Sequence, residues 1–160
     1  MIKDKAEKFA HELAEIPDAE HQFLEVQQLM LINATDLCLK DVVEEHMTET
    51  EGHICKLDEV FAEVGKVPKR ETCAGAQGLA EEASKLMEGA GTDAIRDMFI
   101  VRCALKAEHY EMVSYVDLID GAESLNLQNA VRLLTQNRAQ EVRAARRLEG
   151  ISERLGKMAA

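Results

Sequence analysis

No tryptophan occurs in the 160 residues of this chain, aromatic residues of any kind make up 4%, and there are two prolines. A composition so poor in aromatics and proline suits long helices better than a β-sandwich. The four cysteines, Cys38, Cys55, Cys73 and Cys103, are scattered with no Cys-x-x-Cys pair. That excludes a zinc knuckle and a disulfide-stapled secreted domain, and the expectation is reduced, mostly buried thiols. No stretch reaches the uninterrupted apolar length of a membrane span, and Met1 to Glu15 alternates charge with hydrophobe and lacks a signal-peptide core. A cytoplasmic protein without a membrane partner is expected. Positive charge is also in short supply. With 19 lysines and arginines against 30 acidic residues the formal net charge is −11, so a nucleic-acid partner would have to be held against long-range repulsion and is not expected. The arginines that do gather, Arg138, Arg143, Arg146 and Arg147, read as a solvated helix face or a dimer contact.

What is present is hydrophobic residue, 46%, laid out at helical spacing in a chain long enough for one well-buried domain spanning 1–160. Phe9, Leu13, Ile16, Phe23, Met30 and Ala34 recur at steps of three and four and predict a first helix over 3–33, with Glu20 and Gln27 in the same series. Pro17 falls inside it and predicts a kink or short break, because proline lacks the amide donor a helix interior needs. A second helix should begin after Thr35 or Asp36, both good N-cap types, and end at Gly65 with Pro68 behind it. Its stripe reads Leu39, Val42, His46, Glu49, His53, Leu57, Val60 and Val64. Residues 65–92 are too long for a tight turn and predict a crossover carrying a short helix at 78–87. The third long helix is expected over 93–119, with Ile100, Ala104, Ala107, Glu111, Ser114 and Leu118 on one line, Glu108 and Tyr115 beside it, and Asp120 and Gly121 as its stop. The fourth is expected over 124–155, with Leu127, Val131, Leu134, Arg138, Glu141, Ala145 and Leu148 facing inward.

Each long helix therefore carries a glutamate where a hydrophobe belongs: Glu20, Glu49, Glu111 with Glu108 one turn earlier, and Glu141; the second adds His46 and His53. Buried carboxylates without a positive partner are expensive, so several converging on one core call for a partner of high charge density. A pair of metal ions would supply it, since carboxylates suit hard ferrous, ferric or manganous ions and can bridge two of them, while imidazole adds a neutral ligand. In that reading Glu20 serves from the first helix and Glu49 as a bridging carboxylate, with His46 or His53 completing the second. Glu108 and Glu111 serve from the third and Glu141 from the fourth. Glu20 and Glu49 lie equally far along the chain from the first hairpin turn, about 20 Å, and should be neighbours. Glu108 and Glu141 match less well, by about one turn. His11, His21 and His109 fall off the stripes and read as surface histidines; Tyr110 and Tyr115 read as packing residues, Tyr115 with the option of a supporting hydroxyl or radical site; the seven methionines read as core filler.

The segments PDAEHQFL, EEHMTETEGHICKLDEVFAEVGKVP, ETCAGAQGLAEEA and KAEHYEMVSYVDL resemble the ferritin-like YciF-type stress-protein family over nearly the whole chain. The shared pattern is an Asp-Ala-Glu in the first helix, a His-x-x-Glu-Thr in the second, a cysteine in the connector and a Glu-His-Tyr-Glu in the third long helix. The resemblance implies an all-α, antiparallel ferritin-like four-helix bundle with a short extra helix in the long crossover, commonly a homodimer. It also implies a dinuclear iron or manganese site on Glu20, His46, Glu49, Glu108, Glu111 and Glu141, in proteins associated with stress responses.

The departures lie in the fourth helix. Where the family tends to carry an acidic residue one turn after the glutamate this chain has Ala145, and Gln136, Arg138 and Gln140 replace the acidic run before Glu141. Pro17 also stands where the family has an ordinary helix residue. A lost anionic ligand and an arginine one turn away lower affinity for a second cation, so occupancy by two irons, by one metal or by none follows from different weightings of these residues. The leading expectation is a stress-response protein with a dinuclear carboxylate site acting on oxygen or peroxide, of peroxidase or ferroxidase type, or handling iron. The alternative is a non-catalytic dimeric bundle whose carboxylates are neutralised by arginine, lysine, water or protons.

Overall fold

The computed structural model describes residues 1–158, which form five helices and no strand: α1 Lys5–Asn33, α2 Leu37–Glu63, α3 Ala74–Glu88, α4 Asp93–Ser124 and α5 Gln128–Met158. The four long helices pack in a ring, α1 on α2, α2 on α5, α5 on α4 and α4 on α1, while α3 lies against α1 and α4. Four long helices and a short one in the crossover are what the periodicity predicts, and their packing is the four-helix bundle that the resemblance implies.

The helix starts follow from capping chemistry. Asp4, Asp36 and Thr92 each turn a side-chain oxygen onto the amide three residues on, Glu7 at 2.8 Å, Leu39 at 2.9 Å and Ile95 at 3.2 Å. At the start of α5 the free amides of Asn129 and Ala130 instead donate to the Glu63 carboxylate from the end of α2. Gly65, at φ 66°, takes the left-handed conformation that turns the chain out of α2.

Besides α5, which starts at Gln128 instead of 124, three features differ from expectation. First, α1 runs unbroken through Pro17. The connector supplies donors to the disturbed stretch: the Glu71 amide bonds the Ala14 carbonyl at 2.7 Å, and Asp18 accepts from the Cys73 amide at 2.7 Å and from Arg70 Nε at 2.6 Å. Second, α4 continues past Asp120 and Gly121 to Ser124, and the turn falls at 125–127, with Asn126 at φ 60°. Gly121 is a contact glycine, not a stop: a Cβ there would come within 2.8 Å of the Phe9 ring, so its absence lets α1 and α4 approach. Third, α3 starts at Ala74, earlier than position 78, with Gly75 packed so that a Cβ would meet the Tyr110 ring at 2.8 Å. The cysteines divide evenly: Cys73 and Cys103 are buried, whereas Cys38 and Cys55 face outward, against the expectation of mostly buried thiols.

The core falls into two apolar clusters. One gathers Phe9, Leu13, Ile16, Leu57, Val60, Leu118 and Leu134 near the α4–α5 turn, and the other gathers Met30, Leu39, Val42, Ile100, Leu148 and Ile151 near the α1–α2 turn. Between them lies a waist of buried polar side chains.

Candidate metal centre

The waist is built by one stretch of each long helix. Helix α1 brings Glu20, α2 brings His46 and His53 two turns apart, α4 brings Glu108 and Glu111 with Tyr115 beyond them, and α5 brings Asn137 and Glu141; all are buried. Their donor atoms form two sets: His46, Glu108, Glu111 and Glu141, and Glu20, His53 and Glu141, with the ligand atoms of each set all within 4.8 Å of one another. Glu141 belongs to both. Its Oε2 lies 3.2 Å from His46 Nε2 and its Oε1 lies 2.9 Å from His53 Nδ1, so one carboxylate spans both histidines.

These contacts are close but not hydrogen bonded. His46 Nε2 is 3.1 Å from Glu108 Oε2 and 3.2 Å from Glu141 Oε2, yet neither oxygen lies in the direction of the ring N–H, and His46 Nε2, Glu108 Oε2, Glu111 Oε1 and both Glu141 oxygens are buried without a hydrogen-bond partner. The donor atoms of each set are nevertheless gathered within 4.8 Å of one another. Buried polar atoms rarely lack partners, and a cluster of them in one place is a donor set that could hold a cation. Three to four oxygen and nitrogen donors per set, with imidazole in each, suit a first-row divalent ion.

An outer ring of hydrogen bonds orients these groups. Tyr115 donates to Glu20 and accepts from Asn137 Nδ2 at 3.0 Å. Thr50, beside Gln27, bonds the His46 carbonyl at 3.0 Å, and Gln140 faces His53 Nε2 at 3.2 Å. Such partners fix ring orientation and tautomer around metal-binding side chains.

Electrostatics follow from burial and crowding. Burial alone would depress His46, but the Glu108, Glu141 and Glu49 carboxylates outweigh it and hold the ring well above its ordinary value. His53 is likewise pushed down by burial and, more strongly, up to about 9 by Glu20 and Glu141. Burial lifts Glu108 to about 8 against the pull of His46, and burial plus the neighbouring carboxylates lifts Glu111 well above the carboxylate range. For Glu141 burial pushes up, but the two imidazoliums win and hold it ionised. The raised imidazoles of His46 and His53 thus flank the ionised Glu141, and Glu108, at about 8, favours its protonated form at neutral pH.

Of the seven residues singled out by the sequence, six meet in the waist, including both histidines. Glu49 does not join either set; it sits at the rim, its Oε2 3.2 Å from His46 Nδ1 and its Oε1 bonded by Gln140 at 3.1 Å and by Arg143 at 2.9 Å, which hold it near 2 after opposing burial. Glu141, rather than Glu49, is the carboxylate common to the two donor sets. Glu20 has His53 as its α2 neighbour at 3.4 Å. With the α4–α5 turn at Asn126, it is Glu111 that lies at the same depth as Glu141, and Glu108 sits about one turn further from the turn. Arg138 is half-buried and pairs with no carboxylate of the waist; Asn137 occupies the fully buried position beside it. Sequence reasoning passed over Asn137, although it follows Leu134 by three residues and precedes Glu141 by four. His11 and His109 are exposed and His21 half-buried, as their positions off the stripes require.

A ring of four long helices around a carboxylate-histidine waist, with a short helix in the crossover, defines a ferritin-like bundle. Residues 4–160 match the family described as Domain of unknown function (DUF892), and the chain belongs to that family. It is 30% identical over 141 residues to protein YciF of Escherichia coli (strain K12), covering 88% of this chain and 85% of that protein. The crystal structure of the E. coli stress protein YciF matches with a TM-score of 0.92 at 28% identity, over 97% of this chain and 98% of that one. YcfI of Rhodopseudomonas palustris, named as a candidate structural protein, matches with a TM-score of 0.90 at 32% identity, over 92% of this chain and 94% of that one. No helix among the described residues is long and apolar enough to cross a membrane.

Proposed function

We propose that this is a cytoplasmic stress-response protein whose waist holds a dinuclear iron or manganese centre that acts on oxygen or peroxide, of peroxidase or ferroxidase type, or that handles iron. The observation that carries the reading is the set of buried, unpartnered atoms on His46, Glu108, Glu111 and Glu141 converging without hydrogen-bond geometry. His46, Glu108 and Glu111 would hold one ion, Glu20 and His53 the other, and Glu141 both. When bound, the metal pair supplies Lewis-acid and redox chemistry toward an oxygen ligand.

The protein's own part is charge and proton control. His46 and His53 give up their protons to become neutral ligands, and Glu108 and Glu111 release theirs to become anions, so the waist exchanges protons for cations at nearly constant charge. Tyr115 and Asn137 hold Glu20 in place throughout, and the apolar clusters above and below exclude bulk water. The reading includes a homodimer, for which the exposed Ile32 and Leu37 at the α1–α2 turn and Val113 on α4 offer apolar surface.

A second reading has its own support. The raised imidazoles of His46 and His53 and the raised carboxyls of Glu108 and Glu111 lower the charge cost of the waist without any metal, as a non-catalytic structural bundle would require. Elemental analysis after aerobic and anaerobic ferrous loading, with absorbance followed on oxygen addition, separates the two. About two irons per chain with an oxo-bridge band supports the dinuclear centre. No retained metal under either condition leaves the structural bundle.

A further inference from the structure

Helix α3 covers the α1–α4 side of the bundle, which leaves the α2–α5 seam as the side facing away from it. In that seam lies a cleft of about 210 Å³ whose lining includes Glu45, Glu49, Arg143 and Arg147, and which reaches His46. Two ion pairs straddle it: Arg147 with Glu45 nearer the surface, and Arg143 Nη2 with Glu49 Oε1 at 2.9 Å below. Glu49 faces both ways, since its other oxygen is 3.2 Å from His46 Nδ1, and the far side of the same ring presents Nε2 to Glu108 and Glu141. Glu45, Glu49 and His46 thus line one cleft that leads to the unpartnered atoms of the waist.

The arginines on these carboxylates are loosely held. Their side chains are 60% and 44% exposed; the Arg147–Glu45 pair, exposed on both sides, contributes little and opens readily, and the Arg143 guanidinium reaches its more buried partner from solvent. A divalent cation can therefore take over Glu45 and then Glu49 from a guanidinium, one positive partner replacing another, so no carboxylate is left uncompensated as the ion moves inward. The net charge of −11 draws cations toward the molecule, while the two arginines oppose them at the mouth.

We infer that the α2–α5 cleft is the path by which a divalent cation enters the waist, with Glu45 and Glu49 as successive carboxylate carriers and Arg143 and Arg147 as the latch that releases them. This rests on the metal-centre reading above. The test is the rate of cobalt(II) uptake by the apoprotein, followed by stopped-flow absorbance, together with the amount bound at completion. The double variant Arg143→Gln/Arg147→Gln should take up cobalt about tenfold faster at low ionic strength, with the difference shrinking as salt is added, and should reach the same final stoichiometry. Glu45→Gln should slow uptake without changing the endpoint. Lys85→Gln, the same kind of charge change on α3 across the bundle, should leave the rate unaltered. Equal rates in the double variant and the parent, or an equal acceleration in Lys85→Gln, would overturn the path while leaving the centre standing. A parent protein that binds no cobalt at all would overturn both.

Discussion

The two apolar ends of this bundle and its polar waist are built from the same four helices but follow opposite rules. At the ends, Leu13, Leu57, Leu118 and Leu134, and on the other side Leu39, Ile100 and Leu148, are buried and fill space, as core residues of a bundle do. In the waist the same inward positions carry Glu20, His46, His53, Glu108, Glu111, Asn137 and Glu141, several with polar atoms that nothing satisfies. The ends hold the helices in register, and that rigidity lets the waist keep groups which would otherwise relax away from one another.

Substitutions should separate the two. Leu134→Ala opens a hole in an apolar end and should lower stability by about 2–5 kcal/mol in chemical denaturation, while metal content per folded chain is retained. Glu111→Gln should do the reverse. Burial, then the Glu141, Glu20 and Glu108 carboxylates, raise Glu111 well above its ordinary value, and an amide removes that cost; the apoprotein should be more stable in chemical denaturation, the gain fading as pH falls toward the ordinary carboxylate range, while retained metal drops.

pH sharpens the contrast in one sample. The folded-state values of His53 and Glu108 are raised, to about 9 and about 8, so their stabilising contribution is full below their unfolded values and is lost as pH rises through the folded ones. Thermal midpoints of the apoprotein should therefore fall as pH rises, Glu108 contributing from about 4.5 to about 8 and His53 from about 6.5 to about 9. Metal competes with those protons, so the gap between loaded and metal-free midpoints should widen over the same interval. The smallest effect belongs to the fastening of the apolar end: Asp36→Ala removes the α2 cap on Leu39 and both bonds from Arg154, and should cost about 1 kcal/mol with no change in metal content.

How far the sequence reveals this arrangement can be seen in neighbouring residues. Periodicity places Leu13, Glu20, His46, Glu108 and Glu141 inward, because steps of three and four repeat over many turns. It errs by a single residue at Glu49, where Thr50 is the buried one, and at Arg138, where Asn137 is. Each residue advances about 100° around the helix and the stripe drifts along a long helix, so a pattern names a face more securely than the residue at its centre. Gly121 misleads for a different reason. Its sequence reads as a stop, whereas its role is the approach of Phe9 from α1, a tertiary contact with no local signature. The convergence of unpartnered atoms is likewise invisible until the helices are set side by side.

The exchange of protons for metal in the waist can be measured directly. Apoprotein titrated anaerobically with ferrous iron in weakly buffered solution at pH 7 reports iron retained and protons released together. Retention of two irons per chain with release of on the order of two to four protons, from His46, His53, Glu108 and Glu111, is the predicted result. Iron bound without proton release, or no iron bound, would contradict it.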